Sequence, residues 1–254
     1  GKTEHRFDKL ISVPDIGVSF KVTEFMRLYR TQALQRKRET LTVATAPFPL
    51  EQNKEMACGN LVAQALLEGS KQKGGANFAL VNAGAMRTGL PEGTITYSHL
   101  FKFLPFDDHL VIAELTGAEL RQLLEIAFSD TTRVPAVAGL RVTLIEPNDA
   151  ASRDLNADGN KEEWERNFIK DVRDSKGAPL STNKIYKLAT LSYLAEGGDY
   201  QNYVYDRIPT SRIHWYGEMM VRQIIADYLK KKPKLNPADY YSEKMPTVFK
   251  VSSE

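Results

Sequence analysis

The run FALVNAGAMRTGLPEGTITYSHLFKFLPF, residues 78–106, decides the fold. Its first four residues, Phe78-Ala79-Leu80-Val81, are apolar without alternation, the pattern of a strand buried on both faces. The run stops at Asn82-Ala83-Gly84, small and turn-prone, and Arg87 follows. A strand that opens into a glycine-containing loop is where α/β proteins gather ligand-binding side chains and free backbone N–H groups. The second half closes on Leu104-Pro105-Phe106, an aromatic behind a proline.

A guanidinium suits phosphate or carboxylate through its planar fork of donors, and an aromatic face suits a nucleobase. The same residues equally describe a solvated Arg87, a core Phe106 and an Asn82 that caps its own turn.

Outward from this stretch, Leu41–Ala46 reads as a strand ended by Pro47-Phe48-Pro49. A helix from about Asn53 to Glu68 buries Cys58, Leu61, Val62, Ala65 and Leu66. Leu110–Leu115 is a strand, and Thr116-Gly117-Ala118-Glu119 is a capping box that opens a helix. Residues 139–146 alternate as a half-buried strand, and Lys184–Thr190 is a further one. A helix is expected over residues 211–230, with Ile213, Met220, Ile224 and Leu229 inward. Upstream, residues 1–18 with Pro14 and Gly17 read as a connector, and Val22–Arg38 as a helix with a basic end at Arg36-Lys37-Arg38. The expected division is a connector and linker helix over 1–40 and one domain over 41–254. The fold class is α/β (α+β): a mixed β-sheet packed with four or more helices.

Composition narrows the function classes. Thirty-four basic against thirty-two acidic residues give a net charge of +2, which argues against a general nucleic-acid or anionic-membrane surface. No apolar run reaches membrane-spanning length. Cys58 is the only cysteine, so no disulfide closes within the chain, and its role is that of a small core residue. The chain begins at Gly1 without a signal-peptide pattern, as a processed or trimmed polypeptide does.

Asp154-Leu155-Asn156-Ala157-Asp158-Gly159-Asn160-Lys161-Glu162-Glu163-Trp164-Glu165 satisfies the calcium-loop pattern D-x-[DN]-x-[DN]-G-x5-E. Side chains of Asp154, Asn156, Asp158 and Glu165 with the carbonyl of Asn160 supply the hard oxygens that select Ca²⁺. An acidic hairpin insertion without metal is the alternative.

The blocks Gly59-Asn60-Leu61-Val62-Ala63, Asn82–Arg87, Gly93–Tyr97 with Leu104-Pro105-Phe106, Leu115–Leu120, and Leu191-Ser192-Tyr193-Leu194-Ala195-Glu196-Gly197-Gly198-Asp199 follow one another in the order of one family. They resemble the C-terminal, substrate-binding domain of the 5'-nucleotidase / UDP-sugar hydrolase family, over roughly residues 40–250. The resemblance implies a nucleotide or nucleoside ligand, its base stacked between Phe106 and Tyr193. It further implies ribose held by Asp199 on the Gly197-Gly198 turn, Asn82 at the base edge beside Gly84, and Arg87 on ribose or phosphate. It also implies a periplasmic or secreted protein, and an N-terminal metallophosphoesterase domain that holds two divalent metals and performs the hydrolysis. The metal motifs D-x-H, G-D-x-x-D, G-N-H-[DE] and G-H-x-H do not occur, and His5, His99, His109 and His214 are scattered without ligand spacing. A stand-alone nucleoside-binding or structural module without hydrolase activity is therefore the alternative to one half of a hydrolase.

Three positions depart from the family pattern. An arginine usual upstream of the first domain helix is absent from Glu51-Gln52-Asn53-Lys54, Asp107-Asp108-His109 replaces Gly-Asn after Phe106, and Tyr200 replaces a third glycine. Asp107 and Asp108 either tune specificity or cap the next strand, and Lys54 is a candidate point charge in place of the arginine.

Overall fold

A computed structural model describes residues 20–146, 151–244 and 246–251. The connector expected over residues 1–18 lies outside them. The chain divides into two compact units, residues 1–39 and 40–254. In the first, α1 (Phe20–Arg38) ends on Arg36, Lys37 and Arg38, cations that favour the carbonyl end of a helix.

The second unit is built on a five-stranded mixed sheet, ordered β5-β2-β8-β4-β9. Its strands are β2 (Phe78–Val81), β4 (His109–Thr116), β5 (Ala136–Ala138), β8 (Ile185–Leu191) and β9 (Ile213–Met220). β2 runs parallel to β8, and the other pairs are antiparallel. Side chains alternate across the sheet and feed two separate cores. Ala79, Val81, Leu110, Ile112, Ala189 and Leu191 enter one core. That core is shared with α2 (Ala57–Gly69), α3 (Tyr97–Phe103) and α7 (Val221–Lys230). Phe78, Leu80, Val111, Ala113 and Leu188 enter the other. It is shared with α4 (Gly117–Ala127), β6 (Leu140–Ile145) and β7 (Ile169–Asp174). Both faces being covered is the reason that residues 78–81 are apolar throughout and all buried.

Two smaller sheets accompany the central one among the described residues: β1 (Thr40–Ala44) with β3 (Gly93–Thr96), and β6 between β7 and β10 (Val248–Val251). Two single-turn helices, α5 (Ser192–Ala195) and α6 (Asn202–Tyr205), follow β8. The α/β class with helices on a mixed sheet is as the sequence predicts, although the strands divide among three sheets.

The capping box forms as read: Thr116 Oγ1 accepts from the Glu119 amide and Glu119 Oε2 from the Thr116 amide. Burial pushes the Glu119 carboxyl up, and bonds from Arg212 and Thr116 more than offset it, leaving it below its ordinary value. Cys58 is wholly buried, and desolvation raises its thiol to about 12.

The helix expected over 211–230 is a correction. Residues Ile213–Met220 form edge strand β9, paired with β4, and the helix begins only at Val221. Ile213, Trp215 and Tyr216 are β-branched or aromatic, and β4 offers an open ladder whose hydrogen bonds outweigh a helical period interrupted by Gly217. Helical periodicity takes over where Val221, Ile224, Ile225 and Leu229 face the core.

Candidate nucleotide site

Strand direction brings the site together. Because β8 is parallel to β2 and antiparallel to β4, the C-terminal ends of β2 and β8 lie at the same end of the sheet as the start of β4. Leu110 pairs with Leu191, and Val81 with Ala136 at the start of β5. Four segments distant in sequence therefore converge: Asn82–Arg87 after β2, Phe106–Asp108 before β4, Arg133 before β5, and Ser192–Asp199 after β8.

They enclose a cavity of about 450 Å³ whose lining includes Asn82, Arg87, Phe106, Arg133, Tyr193 and Asp199. Gly84 lines it as well, while Gly198 stands behind the Tyr193 ring. Phe106 is 46% and Tyr193 45% exposed, so both rings stand at the opening and neither is a core residue. That level of exposure for two aromatics at one cavity leaves part of each ring open to a ligand.

Asp199 is the hub of the polar contacts. Its Oδ1 accepts from the Tyr193 hydroxyl at 3.0 Å and its Oδ2 from Asn82 Nδ2 at 2.8 Å. Burial, followed by the charge of Asp199, raises the Tyr193 hydroxyl above its ordinary value. A carboxylate has about four lone-pair sites, so two such bonds leave Asp199 able to accept more. Its backbone is held at φ 52°, and Tyr200 follows at φ 62°, two consecutive non-glycine residues in the left-handed region. Each costs of order 1 kcal/mol or more, a strain that persists where the surroundings impose it. Gly198 has a different constraint: a Cβ there would sit 2.4 Å from the Tyr193 ring, so only glycine lets the turn pass beneath it.

The departures from the family pattern have structural roles. Asp108 Oδ1 accepts from Ser192 Oγ at 3.1 Å and from the Tyr193 amide at 3.0 Å, tying the two aromatic-bearing segments to each other. Asp107 pairs at 2.7 Å with Arg222. Arg222 is itself 4% exposed and donates to the carbonyls of Leu104, Pro105 and Phe106. The Phe106 loop is thus clamped from beneath by a guanidinium in α7. Arg87 lies over the Phe106 ring at 5.1 Å, within cation–π range.

Gln52, where the usual arginine is missing, donates to the carbonyls of Ala83 and Met86 and accepts from the Val134 amide. It braces the Asn82 loop and the segment carrying Arg133. Lys54 forms an ion pair with Glu51 at 2.8 Å and does not line the cavity. The cation that sequence reasoning overlooked is Arg133, in a polar loop with no pattern to mark it; no ion pair or hydrogen bond engages its guanidinium among the described residues.

Among the described residues, none of the acidic loop lines the cavity of Phe106 and Tyr193. Asp154 accepts from the amides of Asp158 and Gly159, Asn156 from Asp158, and Asp158 from Asn160. Glu165, fully buried, accepts from Leu155, Asn156 and Glu162. Among the described residues no group of three or more His, Cys, Asp or Glu side chains is placed to hold a metal ion. The loop reaches the site through Trp164, which stacks on Tyr200 at 4.3 Å with 7° between the rings.

A family model, "5'-nucleotidase, C-terminal domain", matches residues 39–206. Protein UshA of Yersinia enterocolitica is 30% identical over 179 residues, 70% of this chain and 28% of its own. The trifunctional nucleotide phosphoesterase protein YfkN of Bacillus subtilis is 30% identical over 150 residues, 58% of this chain and 10% of its own. This chain thus spans under a third of either relative's length. The structure of a Thermus thermophilus 5'-nucleotidase precursor superposes with a TM-score of 0.70 at 22% identity, covering 91% of this chain and 43% of that one, which shows the shared fold. With two thirds of its length matched by that model, and with the fold in agreement, the chain belongs to the 5'-nucleotidase C-terminal domain family.

Proposed function

We propose that this chain is the nucleotide-recognising domain of a 5'-nucleotidase-type phosphoester hydrolase. The observation that carries the reading is the pair of half-exposed rings, Phe106 and Tyr193, at one cavity of about 450 Å³ with an anchored carboxylate, Asp199, beside them. In this reading the base stacks between the rings. The ribose hydroxyls donate to the free lone pairs of Asp199, and the base edge donates to Asn82 Oδ1, which is buried without a partner among the described residues. Arg87 faces the phosphate. Hydrolysis belongs to a metallophosphoesterase domain whose two divalent metals activate water and clamp the ester, and the protein works in the periplasm or outside the cell. Among the described residues no helix is long and apolar enough to cross a membrane.

Calorimetric titration with AMP, UMP and adenosine tests the pocket. Stacking on an aromatic contributes about 1–3 kcal/mol per base, so Phe106→Ala and Tyr193→Ala each weaken binding about tenfold or more. Affinities unchanged in both variants would remove the stacking role.

A further inference from the structure

A second cavity of about 440 Å³ adjoins the first, and Asn82, Gly84, Arg133 and Asp199 line both. The shared residues lie where two chambers of similar size meet. The second has an apolar floor that includes Leu80, Ile126 and Phe168, and one side formed by Trp164 and Tyr200. Tyr200 stays 51% exposed although Trp164 covers one of its faces, so its other face is open. Gln201 lines the chamber, is 1% exposed, and has a side-chain oxygen buried without a partner among the described residues. An acceptor in that state calls for a donor from a ligand or water. Arg166 adds a second guanidinium to that of Arg133. The aromatic side arises from two local features: the acidic loop that delivers Trp164, and the left-handed Tyr200, where a glycine would have given no ring.

We propose that this chamber is a second nucleoside subsite, for a nucleotide joined by a phosphodiester to the ribose-hydroxyl edge of the one in the first chamber. The inference rests on the nucleotide reading above. Asp199 there faces the ribose hydroxyls; with the 3'-oxygen esterified the 2'-hydroxyl still donates to Asp199, and the 3'-substituent runs into the adjoining chamber. Arg133 meets the bridging phosphate, the second base lies on the open face of Tyr200, and a ring N–H or amino group donates to Gln201 Oε1. The ligand class is a 3'-extended dinucleotide, of which pApA and pUpU are the simplest probes.

The test compares AMP with pApA and UMP with pUpU by calorimetry on the full chain. A matching dinucleotide should bind about tenfold tighter than its mononucleotide, the worth of one stacked base. Tyr200→Gly, which removes the ring and suits the positive φ, and Arg166→Ala should each erase most of that advantage while mononucleotide affinity stays within about twofold. Mononucleotides that bind while dinucleotides bind no tighter would overturn the second subsite and leave the first intact. An advantage that survives both variants would also overturn it. If none of the four ligands binds, the nucleotide reading itself falls, and this inference with it.

Discussion

Arg222 shows how one side chain outside the cavity governs it. It is buried, pairs with Asp107, and satisfies three successive carbonyls of the loop that presents Phe106. Arg222→Met leaves those carbonyls without a donor, and it should cost about 2–4 kcal/mol of unfolding free energy. It should weaken nucleoside binding as well, checked by urea denaturation alongside calorimetry; normal stability with normal binding would show the clamp to be idle. Arg87 carries a different expectation. Arg87→Gln removes a charge-assisted hydrogen bond to the phosphate, so it should weaken AMP by about tenfold and adenosine much less. Equal losses for both would assign Arg87 to bracing the Phe106 ring alone. Glu119 sets a pH dependence. Its folded carboxyl lies below its ordinary value, so it adds stability above the unfolded value of 4.5 and loses it as pH falls through the folded one. The melting temperature should therefore fall more between pH 6 and pH 3 in the native chain than in Glu119→Gln, as a thermal melt series reads.

Whole elements divide by how their signals are written in the chain. β2 and β4 are legible because both faces are buried and each holds a short unbroken apolar run, Phe78–Val81 and Leu110–Ala113. β8 is legible because its apolar residues, though broken by Lys187 and Thr190, feed both cores. The Thr116 capping box is legible because side chains three positions apart form it. β9 is not, since Ile213, Met220, Ile224 and Leu229 fit a helical spacing, and only the open edge of β4, remote in sequence, turns the first half into a strand. The same separation hides Arg133 and the clamp of Arg222, both made by pairing at the sheet end. Asp199 and Tyr193 are read through the family pattern, whereas their mutual hydrogen bond is a product of the left-handed turn. The acidic loop matches a calcium pattern whose oxygens here accept from backbone amides. Titration with millimolar calcium tests it: measurable heat with a raised melting temperature means that the oxygens turn to a metal. No heat and no shift would leave a hydrogen-bonded hairpin that positions Trp164.

At the scale of the molecule, one end of a mixed sheet does the organising. Strand order places four loops there, helices on one face and α4 with the β6–β7 strands on the other cover the sheet, and the ligand-facing groups are braced by residues beside or beneath them: Gln52, Asp108, Gly198 and Arg222. Rigid support of this kind suits recognition, because little ordering remains to oppose binding. The chain covers under a third of the relatives UshA and YfkN, so in our proposal it supplies recognition and a metallophosphoesterase domain supplies hydrolysis. The most direct measurement is a crystal structure of this chain with AMP. We expect the adenine between the rings of Phe106 and Tyr193, with the ribose hydroxyls on Asp199. AMP seated elsewhere, or a cavity without ligand at saturating AMP, would contradict that recognition role.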